Sequence, residues 1–511
     1  MNFFKKLFVI LLSLVLLLFV CACDNNNAES VINSGDDINT NNVEIKTDET
    51  GEITFVGDDS RITKDLTLKL IGNMSSDSDE KANSLRDEIV YSKDTIKAKG
   101  TTYYVSNSGS DTNDGTSPEK AWRSLNGVNT YSYNFKEGDA VLFERGGVFR
   151  GSLKTVSGVS YGAYGEGQKP CIYGSKKNYA KEQWRRTSED NIYALVTTVA
   201  DVGTIVFNHG EYHGVKKLNK VFECEKDFDF FHDTSNGLLY VYCSKGRPDE
   251  VFYDIELLEK IEIISVPKNS TNVYIENLCV KYGGAHAISM GRPVENITIK
   301  NCEIGWIGGS IMTEGTQTRY GNGIQFYGDS FDSLIDHNWI YQCYDTGITH
   351  QYHSSGDSVV ENITYTKNLI EYCSMSFEYF WHNTDRATGK YIDTEKTYMK
   401  NILVSENIMR FAGYGFGKQR PTQSNSGHIV SWSGINRSDN FVISNNIFDI
   451  SVMNIFTVFG SDTSYLPLLK ENTYIQDSNA RLGTWYKNEI QANSAQSVIK
   501  QIDKNATLVV H

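Results

Sequence analysis

The chain has 511 residues, a formal charge of −14, and 30 Tyr, 24 Phe and 42 Gly. The acidic balance excludes nucleic acid as a partner and works against an unaided grip on strongly anionic polymers, because the mean field repels them. Scarce helical periodicity with abundant aromatic and glycine residues excludes a helical bundle and suits short strands joined by tight corners.

Residues 1–23 carry Lys5 and Lys6, an apolar run over 7–20, and then Cys21-Ala22-Cys23. This is the pattern of a secretory leader, with an apolar run shorter than the roughly 20 residues a spanning helix needs. Val20-Cys21-Ala22-Cys23 resembles the lipobox of bacterial lipoproteins. The resemblance implies a signal peptide over 1–22, a lipid on Cys23, and a chain held through it at the outer face of a bacterial membrane, on the cell surface. Residues 23–100, rich in Asn, Asp, Ser, Thr and Glu, read as a polar and largely disordered tether.

Residues 101–175 read as an N-terminal cap and the first coils of a strand stack. A strand and a turn lead to a capped helix with Ser117 as N-cap, Pro118 at its first position, and Ala121, Trp122 and Leu125 on its apolar face. Such a helix would cover the open end of the stack. Asp111, Asn113 and Asp114 before Gly115 form a helix-entry turn that lacks the bidentate glutamate of a calcium loop, so calcium has no motif behind it and no cofactor is expected. Over 176–265 the runs 204–208, 227–232 and 237–243 alternate polar and apolar residues and predict antiparallel hairpins, an inserted β-sandwich-like module. Cys224 and Cys243 fall inside it, and spacing leaves their pairing open.

Over 266–511 one phrase recurs, an apolar residue, then asparagine three positions on, then an apolar residue two further. It reads Ile335/Asn338/Ile340, Tyr365/Asn368/Ile370, Val404/Asn407/Met409, Ile443/Asn446/Phe448 and Leu469/Asn472/Tyr474. Intervals of 30, 39, 39 and 26 residues between asparagines vary while the phrase does not, as in a solenoid whose loops lengthen freely. Upstream the phrase continues with Leu278 and Cys302 in place of asparagine. The asparagines are expected to occupy a left-handed turn position and to pass amide bonds from rung to rung. Cys343 and Cys373 each follow their asparagine by five residues and should stack as small buried groups.

The opening from Thr101, with Gly-Asp-Ala-Val-Leu-Phe (138–143), Gly-Gly-Val-Phe-Arg-Gly (146–151) and Tyr-Gly-Ala-Tyr-Gly-Glu-Gly-Gln-Lys-Pro (161–170), closely resembles the start of secreted right-handed parallel β-helix proteins of the pectate-lyase-like superfamily. The resemblance implies an all-β right-handed solenoid and a carbohydrate-active role, without choosing among lyases, hydrolases, esterases and adhesins. Some β-helical glycosidases, notably a family of β-xylosidases, are similar in plan, with a sandwich attached to the coil.

Aligning Gly323–Tyr327, Gly347–Gln351, Ser376–Phe380 and Gly415–Gln419 puts Gln325, Thr349, Glu378 and Gly417 in one outward column, with His350 beside Tyr379 and Lys418. Glu378, among aromatic residues, is the candidate general acid, and Asp345 the nucleophile or second carboxylate. His350 and Lys418 complete the candidate catalytic set. Arg319, Gln325, Tyr327, Gln351, Tyr379, Trp381, His382, Arg420 and Trp432 are the candidate substrate contacts, the aromatic ones as platforms for sugar rings. The expected function is glycoside hydrolysis of a neutral polysaccharide or oligosaccharide by a monomer. Lys418, Arg420 and His350 leave open β-elimination on a uronate, and the aromatic residues leave open a binding or adhesive surface without turnover.

Overall fold

A computed structural model describes residues 44–47, 53–56, 72, 74–421, 426–432 and 434–511. The leader, Cys23 and most of the expected tether lie outside the described residues. Glu44–Thr47 and Ile53–Val56 pair as a separate two-stranded sheet.

The rest is a right-handed parallel β-helix with sheets of ten, thirteen and eleven strands. One coil shows the plan. Ser330–Asp336 lies in the first sheet, Trp339–Cys343 in the second and Thr346–Ser354 in the third, and Ser358–Thr366 then begins the next coil in register on Ser330–Asp336. Strands so stacked repeat about every 4.8 Å. Inward positions are apolar and fully buried, among them Ile335, Ile340, Ile348 and Val360, and they merge with their counterparts on neighbouring coils into one continuous core.

The corners explain the repeated phrase. The left-handed residue is the one before each ladder asparagine: His337, Lys367, Glu406, Asn445 and Glu471 have φ of 51, 51, 57, 56 and 59°. This corrects the expected turn position by one residue. The asparagine that follows points inward, where its Nδ2 donates to Oδ1 of the next asparagine at 2.9 Å for 338 to 368, 368 to 407 and 407 to 446, and at 3.0 Å for 446 to 472. Each backbone N–H donates to the same acceptor. The series ends at Asp503, whose Oδ2 receives Asn472 Nδ2 at 2.8 Å. A second, exposed ladder on the first sheet links Asp332, Asn362, Asn401 and Asn440 at 2.8–2.9 Å, and these residues themselves sit at left-handed φ. Cys343 and Cys373 are buried in the core, as expected from their spacing.

At the N-terminal end the helix begins later than expected. Pro118–Lys120 is a single 3-10 turn, and the α-helix runs over Leu125–Tyr131 with Ser124 Oγ accepting from Asn126 N. Trp122, Leu125 and Val128 join the core there, with Trp122 stacked on Tyr103. Asp111 accepts from the N–H groups of Arg123 and Ser124, which fixes the turn.

The tether expectation reached too far. Asp79–Val90, α1, is a helix with Ala82, Leu85 and Ile89 buried against the outer side of the second sheet. Its Arg86 donates to Glu371 at 2.7 Å, and Arg410 reaches the same carboxylate at 3.1 Å, all three side chains being almost completely buried.

The module at 176–265 contains a five-stranded sheet in the order Val215–Lys217, Asp229–Asp233, Leu238–Tyr242, Ile192–Val196, Arg185–Arg186, all antiparallel except the first pair. It encloses its own core of Trp184, Leu195, Phe230, Leu239 and Val241. Val202–Phe207, Tyr212–His213 and Ile255–Glu259 extend the second sheet, the first antiparallel to the other two. Cys224 and Cys243 are buried free thiols.

Candidate active site

The site lies on the outer face of the third sheet. Four neighbouring strands build it: β1 (Ile324–Tyr327), β2 (Thr346–Ser354), β3 (Met375–Thr384) and β4 (Gly427–Ser431). Strand alternation sends Phe377, Tyr379 and Trp381 inward and Glu378, Phe380 and His382 outward. Register places Gln325 beside Thr349, and Thr349 beside Glu378.

The next neighbour is Val430, not Gly417. Gly415–Gln419 forms a 3-10 turn above the sheet, and the strand that continues the stack starts only at Gly427. Lys418 is therefore an exposed loop residue outside the column.

Glu378 is 4 % exposed although it points outward. The Trp432 indole donates to its Oε1, and the hydroxyls of Thr349 and Thr346 donate to its Oε2 at 2.7 and 3.4 Å. Burial, and then the nearby Asp345 carboxylate, push its pKa up to about 7 against the lowering effect of Trp432, Thr349 and Arg420. Asp345 occupies the corner before β2, where its carbonyl accepts Met375 N at 3.0 Å. Its carboxylate forms an ion pair with Arg420, Nε to Oδ1 3.0 Å, at side-chain exposures of 19 and 17 %. Burial raises its pKa too, while Arg420 opposes the rise. The Arg420 guanidinium, 5.7 Å from the Trp432 ring centre, feels both carboxylates.

The chemistry this permits is specific. One carboxyl is poised to hold a proton near neutral pH, a second is matched to a guanidinium, and a half-buried indole stands over the first. That asymmetry separates an acid from a base or nucleophile.

Several sequence candidates are placed elsewhere. His350 is a core residue, stacked on Phe326 at 4.9 Å and bonded through Nδ1 to the Tyr365 hydroxyl, and burial lowers its pKa to about 3. Tyr379 and Trp381 are also interior: Tyr379 packs on Phe441, and the Trp381 indole donates to Ser358 O at 3.0 Å, so neither is a sugar platform. Arg319 is 7 % exposed, lying over Tyr344 and donating to the Gln419 carbonyl at 2.9 Å, which makes it part of the wall.

Gln325 and Gln351 remain on the outer face, joined at 3.1 Å, and the Tyr327 hydroxyl donates to His353 O. His382 shares the outward side of β3 with Glu378 but is covered by Tyr391, 4.4 Å between ring centres. Sequence reasoning put Thr349 in the column without seeing it as a donor to Glu378, missed Thr346, and assigned no role to the outward Phe380 or the loop residue Gln419. Period-2 alternation from Glu378 would have found Phe380.

No protein-family model matches the chain. Among curated proteins it is similar to a lacto-N-biosidase of Bifidobacterium longum subsp. longum, 34 % identical over 109 residues, which is 19 % of this chain and 7 % of that protein. The match thus spans a small fraction of the relative's length. Solved structures that are similar include a glycoside hydrolase (TM-score 0.46, 9 % identity, 76 % of this chain and 94 % of the other). Others are the GH136 lacto-N-biosidase from Eubacterium ramulus (0.34, 13 %, 81 % and 68 %) and the pectate lyase Pel9A (0.41, 9 %, 78 % and 74 %).

Proposed function

We propose that the protein is a glycoside hydrolase acting on a polysaccharide or oligosaccharide at the outer face of the third sheet. The observation that carries this reading is the buried Glu378 carboxyl, gripped by Trp432 and Thr349 and coupled to the Arg420-paired Asp345. Glu378 delivers its proton to the departing glycosidic oxygen. Asp345, charge-matched by Arg420, either attacks the anomeric carbon or takes the proton of the attacking water, and the separation of the two carboxyl groups decides which. Trp432 and Phe380 offer apolar faces to the sugar rings. The local likeness to a lacto-N-biosidase is consistent with a glycosidic substrate.

The buried position of His350 weighs against the competing β-elimination, which keeps only Lys418 and Arg420 of its three candidate groups. A chain secreted on its leader, lipidated at Cys23 and working as a monomer at the cell surface completes the proposal. A panel of neutral, uronic-acid and lacto-N-biose-terminated glycans tests it, scored for new reducing ends and for unsaturated products. Reducing ends that vanish in Glu378→Gln, with binding retained, are expected. Unsaturated products, or full activity in that variant, overturn it, and binding without any product favours an adhesive surface.

A further inference from the structure

We infer that Gln419 is a positioning residue through which the inserted module aims Arg420 at the Asp345–Glu378 pair. The inference rests on the hydrolase reading of that pair and gives the module a role in it.

The grip is two-sided. Gln419 Nε2 donates to Gly214 O at 2.8 Å, and its Oε1 accepts from Lys216 N at 3.3 Å, so backbone of the module reads both ends of one carboxamide. Its own carbonyl accepts from Arg319 Nη2 at 2.9 Å. A carboxamide can donate and accept in this way, which a carboxylate of the same shape cannot. Every partner of Gln419 is itself fixed. Lys216 Nζ lies 2.7 and 2.6 Å from the two oxygens of Asp201 and 2.6 Å from Val202 O. Asp201 in turn accepts Ile311 N at 2.6 Å, tying the module to the loop that carries Arg319. Three residues earlier, Phe416 is fully buried beside Trp306, Tyr344 and the module's His213.

The loop bearing Arg420 is thus held by a side chain whose anchors lie outside the coil. Arg420 itself follows directly, its N–H bonded to Gly417 O at 3.0 Å and its guanidinium against Asp345. A charge paired with Asp345 and felt by the buried Glu378 acts over a short range, so a small displacement weakens its hold on both. Besides Arg420, the titratable groups that face the pair are Tyr344 and the buried Cys343 thiol, both beside Asp345, with Arg319 behind them over the Tyr344 ring.

The test uses the full chain with Gln419→Ala, Gln419→Glu, Arg420→Ala and the double variant Gln419→Ala/Arg420→Ala. On the glycan found by the panel, Gln419→Ala should lower kcat about ten-fold with KM changed less than about three-fold, and should add nothing in the Arg420→Ala background. A second readout needs no turnover. The part of the tryptophan fluorescence that Trp432→Phe removes should titrate with Glu378, and its midpoint should rise by about half a pH unit or more in Gln419→Ala because the cation that favours ionisation has moved. Gln419→Glu keeps an acceptor but loses the donor and should shift the midpoint the same way, which covers the case of a poorly folding alanine variant. An unshifted midpoint, or losses that add fully in the double variant, overturns the inference. A Glu378→Gln protein with full activity overturns the hydrolase reading instead and leaves the fluorescence titration to decide on the clamp.

Discussion

Replacing Glu378 by glutamine should stabilise the protein, and only at high pH. In the unfolded chain the carboxyl ionises with its ordinary value of 4.5, whereas in the fold burial and Asp345 move it to about 7. Between those values the folded state holds a proton that the unfolded state has lost. Stability contributed by this group is therefore complete below pH 4.5 and is lost as pH rises through 7. A shift of this size corresponds to about 3 kcal/mol. Glutamine imitates the protonated acid: its oxygen can accept from Trp432 and its amide can donate to the Thr349 hydroxyl, two of the three partners of the native side chain. The difference in unfolding free energy between variant and parent should be near zero at pH 4, grow from pH 5 to 8, and level off near about 3 kcal/mol. Thermal or denaturant unfolding across that range measures it, with turnover abolished in the same sample. A pH-independent difference, or a variant less stable at pH 8, would refute the assignment of a desolvated, proton-holding carboxyl.

Three further outcomes follow from the scaffold. Asn407→Ala removes the acceptor for both the N–H and the Nδ2 of Asn368 inside the core and should cost about 3–5 kcal/mol, whereas Asn401→Gly in the exposed ladder should cost about 1 kcal/mol or less, as read from denaturant midpoints. Glu371→Leu leaves the buried Arg86 and Arg410 without their shared carboxylate and should cost about 3–5 kcal/mol, with faster proteolysis around α1 as the local readout. Burial holds the pKa of His286, His350 and His428 near 3, so the unfolded chain takes up protons below about pH 6.5 that the fold refuses, and stability should fall from there towards pH 3. Replacing all three by neutral residues should flatten that acid limb; an unchanged slope would show that other groups drive acid unfolding.

The coil stack was legible because its signal is local and repeated: an apolar residue, a corner and an asparagine recur whatever the loop length. The column Gln325, Thr349, Glu378 was legible for the same reason, since each lies at one fixed place after a small residue and an apolar one. Gly415–Gln419 imitates that local pattern without being a strand, and nothing in five residues distinguishes the two. Tyr379 and Trp381 were misplaced by proximity in sequence, although alternation sends them to the side opposite Glu378. The helix α1 was hidden by its composition: much of its docking runs through Arg86, Glu371 and Arg410, so its sequence reads as a solvated segment. The grip on Gln419 could not be read from sequence, because those partners belong to a module two hundred residues earlier.

The inner ladder has a direction. Along the ladder every asparagine gives its backbone N–H and one amide hydrogen to the acceptor on the C-terminal side and its other amide hydrogen back to a carbonyl of the preceding coil, so each rung presents the same face to whatever comes next. Asp503, which ionised can only receive, closes the series, and the backbone N–H of Cys302, which can only give, opens it. Between such a first and last member, a whole turn can be duplicated or deleted without altering either end, so the length of the binding wall is free to change by copying a unit and keeping the terminators.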